Sequence, residues 1–105
     1  MNCYVLRTNG TVEKVDELLD GESFKALYEA IGCSMVERAQ LHPMGEMWVD
    51  EDACFKVVQT NFIATEIFAK HSRLAHNPNT GIQGDVYLRL KDGWTLTDDG
   101  VLKNF

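Results

Sequence analysis

Hydrophobic and polar positions fall into short stretches of changing period along this chain. Cys3-Tyr4-Val5-Leu6 is the longest unbroken apolar run, four residues, and Arg7 closes it. Thr11-Val12-Glu13-Lys14-Val15 follows across Asn9-Gly10. Asn-Gly between two strand-forming stretches predicts a hairpin with a type I′ turn, which needs two residues at positive φ. Asp20-Gly21 breaks the pattern, and Ser23 is placed to cap a helix. Phe24, Leu27, Tyr28 and Ile31 recur at helical spacing, with Gly32 where a left-handed C-cap belongs.

Met35, Val36, Ala39 and Leu41, then the turn chemistry of His42-Pro43-Met44-Gly45, then Met47-Trp48-Val49 predict a second hairpin. Asp50-Glu51-Asp52 closes it on the solvent side. Thr60-Asn61 opens the clearest helix, with Asn61 as its N-cap. Ile63, Ala64, Ile67, Phe68, His71, Leu74 and Ala75 share one face, and Asn77-Pro78 stops the helix. Residues 77–84 read as a loop. Val86, Leu88 and Leu90 then alternate with Tyr87 and Arg89, which predicts a half-buried strand. Asp92-Gly93 and Asp98-Asp99-Gly100 are turns around Trp94-Thr95-Leu96 and Val101-Leu102. The order ββαββαβ plus a C-terminal strand is α+β: a mostly antiparallel sheet with two helices on one face. Residues 1–90 read as a single domain, with 91–105 a strand or tail packed on it.

Composition narrows the classes. With 105 residues, 45% of them apolar and 25% charged, the chain suits one globular domain. No apolar run approaches a membrane span. Sixteen acids against ten bases leave −6, a charge that repels a phosphate backbone and argues against double-stranded nucleic acid as a partner. The charge is uneven. Residues 13–22 carry five acids and one base and residues 46–52 four acids and none, so these stretches hold −8 and the remainder +2. Such clusters are ordinarily solvated faces; a DNA mimic needs a denser ribbon of carboxylates.

Cys3, Cys33 and Cys54 form no C-x-x-C pair, which points to a reducing, cytoplasmic setting. Cys3 and Cys54 read as small buried hydrophobes. Asp50-Glu51-Asp52 lacks the alternating spacing of a calcium loop, and His71 and His76 have no cysteine pair beside them, so no metal is expected. Walker, Rossmann, nucleophile-elbow and HExxH patterns are all missing. The expectation is a non-enzymatic protein without a cofactor.

The segments Gly32 to Arg38 (GCSMVER), Asp50-Glu51 after an apolar strand, Asn61-x-x-Ala64-Thr65 opening a helix and Ile82-x-Gly84-Asp85-Val86 leading a strand resemble the family catalogued as domain of unknown function 3846. The resemblance spans roughly residues 2–90, within the usual size of one domain. Cys33 stands where that family usually has a second glycine. The resemblance implies a phage, plasmid or other mobile-element setting, and by analogy a role in countering host defence.

Three groups of residues are candidates for binding. Lys70, Arg73, His76, Asn77 and Thr80 make the one locally basic, donor-rich segment, and Trp94 could stack on a nucleotide held there. Lysine and arginine near a helix C-terminus also suit the helix dipole. Glu46, Asp50, Glu51 and Asp52 could face a basic host protein. Asn61 and Thr65 share the start of the second helix, where free N–H groups attract anions, although capping is the simpler reading. The leading expectation is a protein that sequesters a small nucleotide signal, in a homo-oligomer if the pocket lies between subunits. Alternatives are an inhibitor gripping a basic protein surface, and a small enzyme using His76 or Cys54.

Overall fold

The first hairpin forms between β1 (Asn2–Leu6) and β2 (Val12–Val15), which run antiparallel with Leu6 opposite Val12. Its turn is not type I′, because Asn9 keeps a negative φ and only Gly10 is positive. Arg7 O accepts from Gly10 N at 3.1 Å, while Arg7 N donates to Thr11 O and Asn9 Oδ1 accepts from Thr11 N. The turn thus closes one residue early, and glycine supplies the left-handed bulge position behind it. A computed structural model describes residues 1–19, 23–72 and 81–104.

Helix α1 (Lys25–Ile31) ends on left-handed Gly32, as its pattern predicts. It begins one residue later than a Ser23 cap would set it: Phe24 occupies the cap position, and Ser23 Oγ accepts from Lys25 N. Strands β3 (Val36–Leu41) and β4 (Gly45–Asp50) make the second hairpin. A 3-10 turn (Ala53–Phe55) leads toward α2 (Phe62–His71). That helix stops at His71, short of the predicted Ala75. Ser72 turns extended and bridges to Leu41, and His42 N takes the His71 carbonyl at 3.0 Å. Strand β5 (Val86–Leu90) follows, then the small hairpin β6 (Trp94–Leu96) and β7 (Leu102–Asn104).

The result is α+β: a five-stranded antiparallel sheet in the order β2-β1-β5-β4-β3, a two-stranded sheet and two helices. The last strand of the main sheet sits in its middle and joins the two hairpins. Gly45 makes one of these junctions possible, since a Cβ there would stand 2.1 Å from Arg89 O.

The two helices do not share a face. Ala64 and Ile67 of α2 pack with Tyr4, Leu6, Met47, Val86, Leu88 and Leu90, together with Leu96 from the small hairpin. Leu27 and Ile31 of α1 pack with Cys3, Val5 and Tyr87. Successive strand residues point to opposite sides, so α1 and α2 cover opposite faces. Tyr87 is therefore fully buried under α1, where alternation had placed it outside. Its phenol oxygen accepts from Leu18 N, as that of Tyr4 accepts from Leu96 N on the other side. Burying each large aliphatic side chain is worth about 1.5–3 kcal/mol, so covering both faces of β1 and β5 dominates the stability. No helix among the described residues is long and apolar enough to cross a membrane.

Asn61 is the one fully buried polar side chain among the described residues. Its Nδ2 donates to Leu6 O at 2.8 Å and Gly84 O at 3.0 Å, and its Oδ1 accepts from Ala64 N. Replacing it with alanine removes a helix cap and leaves two carbonyls without donors, so Asn61→Ala is expected to cost about 2–4 kcal/mol in urea unfolding. Burial also pushes the Tyr87 phenol well above its ordinary value of 10.0. The folded chain holds that proton more tightly than the unfolded one. Stability from Tyr87 is therefore complete below pH about 10 and falls as pH rises beyond it, which alkaline melting curves of the native chain and Tyr87→Phe will show.

Candidate functional site

β4 delivers Asp50 to the end of the sheet, on the face covered by α1. The residue is buried, with its side chain only 6% exposed. Oδ1 accepts from Asp52 N at 2.9 Å, and Oδ2 meets Lys56 Nζ at 2.7 Å. This pair folds the β4–α2 connection back on itself and holds the Lys56 ammonium above its ordinary pKa. Cys33 lies beside it. Burial first, and the Asp50 carboxylate second, push that thiol up, which keeps it protonated.

The chain then runs alongside residues 82–84. Gly84 N donates to Gln59 O and Asn61 N to Ile82 O, Thr60 bridges to Gln83, and Ile82 N donates to Thr65 Oγ1 at 2.8 Å. Asp85 completes the corner by accepting from Thr8 N and Arg7 Nη1, both at 3.0 Å. Arg7 also reaches Ala30 O and Glu13, so one guanidinium ties α1, the first hairpin and the start of β5. Gly32, Asp50, Asn61 and the Gly84-Asp85 pair are thus gathered at one end of the sheet. Two shallow clefts flank Asp50. One, of about 260 Å³, is lined by Thr8, Gly32, Gln59, Gly84 and Asp85 as well; the other, of about 160 Å³, by Glu51, Cys54, Gly81 and Ile82.

The same end exposes large apolar side chains. Phe55 is 85% exposed, Val57 fully, and Phe62 78%, all within eight residues of chain pinned at Asp50 and again at Asn61. Three large apolar side chains exposed within one short, anchored stretch make it a candidate surface for a partner. Sequence reasoning missed them. Apolar residues at 53, 54, 55, 57, 58 and 62 follow neither the helical nor the strand period, so the stretch fitted no element.

The predicted acidic surface is smaller than expected. Glu46 is inward and paired with Arg38 and Arg89, and Asp50 is held by Lys56, so neither offers a free carboxylate to a partner. Glu51 is exposed and Asp52 half-exposed. Asn61 and Thr65 do not present an anion site: the Asn61 amide and the Thr65 hydroxyl are turned onto protein partners. Cys54 is exposed rather than buried, because the 3-10 turn projects it outward.

Lys70 and His71 line a separate cleft of about 250 Å³ between α2 and the β6–β7 turn. Lys70 Nζ is paired with Glu66 at 2.8 Å, and Asp99 stands on the same lining. Trp94 is not brought to this cleft. It packs into the core and pairs with Asn104, two residues beyond Leu102, with its carbonyl accepting from Asn2. Arg73, His76, Asn77 and Thr80 lie outside the described residues.

No family model, curated protein or solved structure matches this chain.

The thiols provide a direct check of the local geometry. With iodoacetamide at pH 8, Cys54 is expected to alkylate well before Cys33, whose raised pKa suppresses the thiolate, and peptide mass spectrometry over time reads the order.

Proposed function

We propose that this protein is a non-enzymatic binding module that grips a protein partner at the β4–α2 end of its sheet. The exposure of Phe55, Val57 and Phe62 on an anchored connection carries this reading. Aromatic side chains are the commonest anchors of protein interfaces, and a pinned backbone loses little entropy on docking. Glu51 and Asp52 at the margin suit a partner with a basic rim, in keeping with the overall −6. In the mobile-element setting implied by the family resemblance, that partner is a host protein and the outcome is inhibition of host defence in the cytoplasm.

Sequestration of a small nucleotide is the second reading. The Lys70–His71 cleft supports it, since both residues line one cavity. Glu66 and Asp99 weigh against it, because a phosphate there would meet two carboxylates.

Parallel capture from host lysate with the native chain and with Phe55→Asp/Phe62→Asp tests the leading reading. Both side chains are exposed, so circular dichroism should be unchanged. A specific partner should bind the double variant about tenfold or more weakly, and binding should weaken as salt rises. Equal capture by both forms would overturn the proposal.

A further inference from the structure

The sheet face under α1 is only partly covered. Phe24 lies over Trp48 with ring centroids 5.7 Å apart, and Leu27 and Ile31 cover Tyr87. Beyond them, at the opposite end of β4 from Asp50, a charged row crosses three strands: Gln40 of β3 opposite Glu46 of β4, itself opposite Arg89 of β5. Arg38 stands one pleat along β3. These residues, with Gly45 and Lys91, line a cleft of about 150 Å³.

Its charge is unusual for this chain. Glu46 is only 15% exposed and lies between two guanidiniums, facing Arg38 Nε on one side and Arg89 Nη1 on the other. Glu17 takes Arg89 Nη2. Burial opposes the charge on Arg89, but Glu46 and Glu17 outweigh it and hold the group above its ordinary pKa. Three cations therefore meet two carboxylates in a protein whose net charge is −6. Neighbouring Asp92 does not restore the balance, because the Met1 amino group is paired with it at 2.9 Å. Among the described residues, the outer nitrogens of Arg38, the Lys91 ammonium and the Gln40 amide have no partner.

We infer that this cleft binds one small tetrahedral oxyanion, a phosphate group, independently of the docking surface at the other end of β4. Arg38 offers its planar fork, Lys91 a mobile point charge and Gln40 a neutral donor, which is the donor set that oxyanions select. Glu46 holds Arg38 through Nε and so leaves its two outer nitrogens unpaired, whereas Arg89, spent on Glu46 and Glu17, contributes only its charge. A volume of about 150 Å³ is well below the roughly 300 Å³ at which pockets for whole small molecules begin, so the cleft takes a head group and not a nucleoside. The phosphate is either free or the terminus of a larger molecule that lies outside.

Backbone amide NMR of the full chain, titrated with inorganic phosphate and separately with glycerol 3-phosphate at constant ionic strength, tests this. Saturable shifts centred on Gln40, Gly45 and Lys91 are expected, and sodium chloride should not reproduce them. Tighter binding of the ester identifies a terminal phosphate, whereas equal binding identifies free phosphate; either supports the site. Lys91→Gln and Arg38→Gln are surface changes that keep the fold, and each should weaken binding about fivefold or more, the scale of one charge-assisted hydrogen bond. Absence of saturable shifts, shifts centred on Lys70 and His71, or undiminished binding in both variants would overturn the inference.

Discussion

The buried amide of Asn61 is the constraint on which the rest of the architecture hangs. It caps α2 with its oxygen and uses its nitrogen to hold the end of β1 and the backbone just ahead of β5. Those two strands are neighbours at the sheet centre, and α2 lies across one side of them. One side chain thus sets the depth of the helix, the place where β5 begins and the course of the β4–α2 connection. No apolar side chain could do this, because dispersion and hydrophobic burial carry no direction, whereas an amide with three partners admits one geometry.

Much of the fold was legible in local pattern. Turn glycines, the α1 stripe and the Asn61 cap are decided within a few residues, and they appear where the sequence puts them, shifted by a residue or so. The facing of the helices was not legible by the same means. Which side of a sheet a helix covers depends on how hairpins are joined, and that depends on β5, whose residues lie 80 to 88 positions from their partners in β1. A trace of the answer was nonetheless present. Strands covered on both sides read as continuous apolar runs, and Cys3-Tyr4-Val5-Leu6 is the longest such run in the chain. Tyr87 inside Val86-Tyr87-Leu88 carries the same message. Alternation between apolar residues of different size does not mean alternation between core and solvent.

The candidate surfaces followed a different logic. Counting charge along the chain predicted an acidic face at Glu46 and Asp50, but charge in space is set by cross-strand neighbours. Glu46 meets Arg38 and Arg89 only because β3 and β5 flank β4, and Asp50 meets Lys56 only because the 3-10 turn folds back. Two acids of a linear cluster are consumed in this way. Conversely, three bases scattered over two strands and a turn gather into a patch that no window of sequence contains. Phe55 and Phe62 were hidden for a simpler reason: an exposed aromatic has the same letter as a buried one, and only the fold tells them apart.

The central position of β5 has a consequence for how the chain is made. Synthesis delivers the two hairpins, both helices' residues and the Asn61 clamp before residues 86–90 emerge. Until then β1 and β4 each present an open edge of backbone donors and acceptors, next to apolar side chains waiting for cover. A nascent or truncated chain lacking β5 holds two half-sheets that can pair with each other out of register or with neighbouring chains on the polysome. Closing both edges waits on residues 86–90, the last strand of the main sheet to be made.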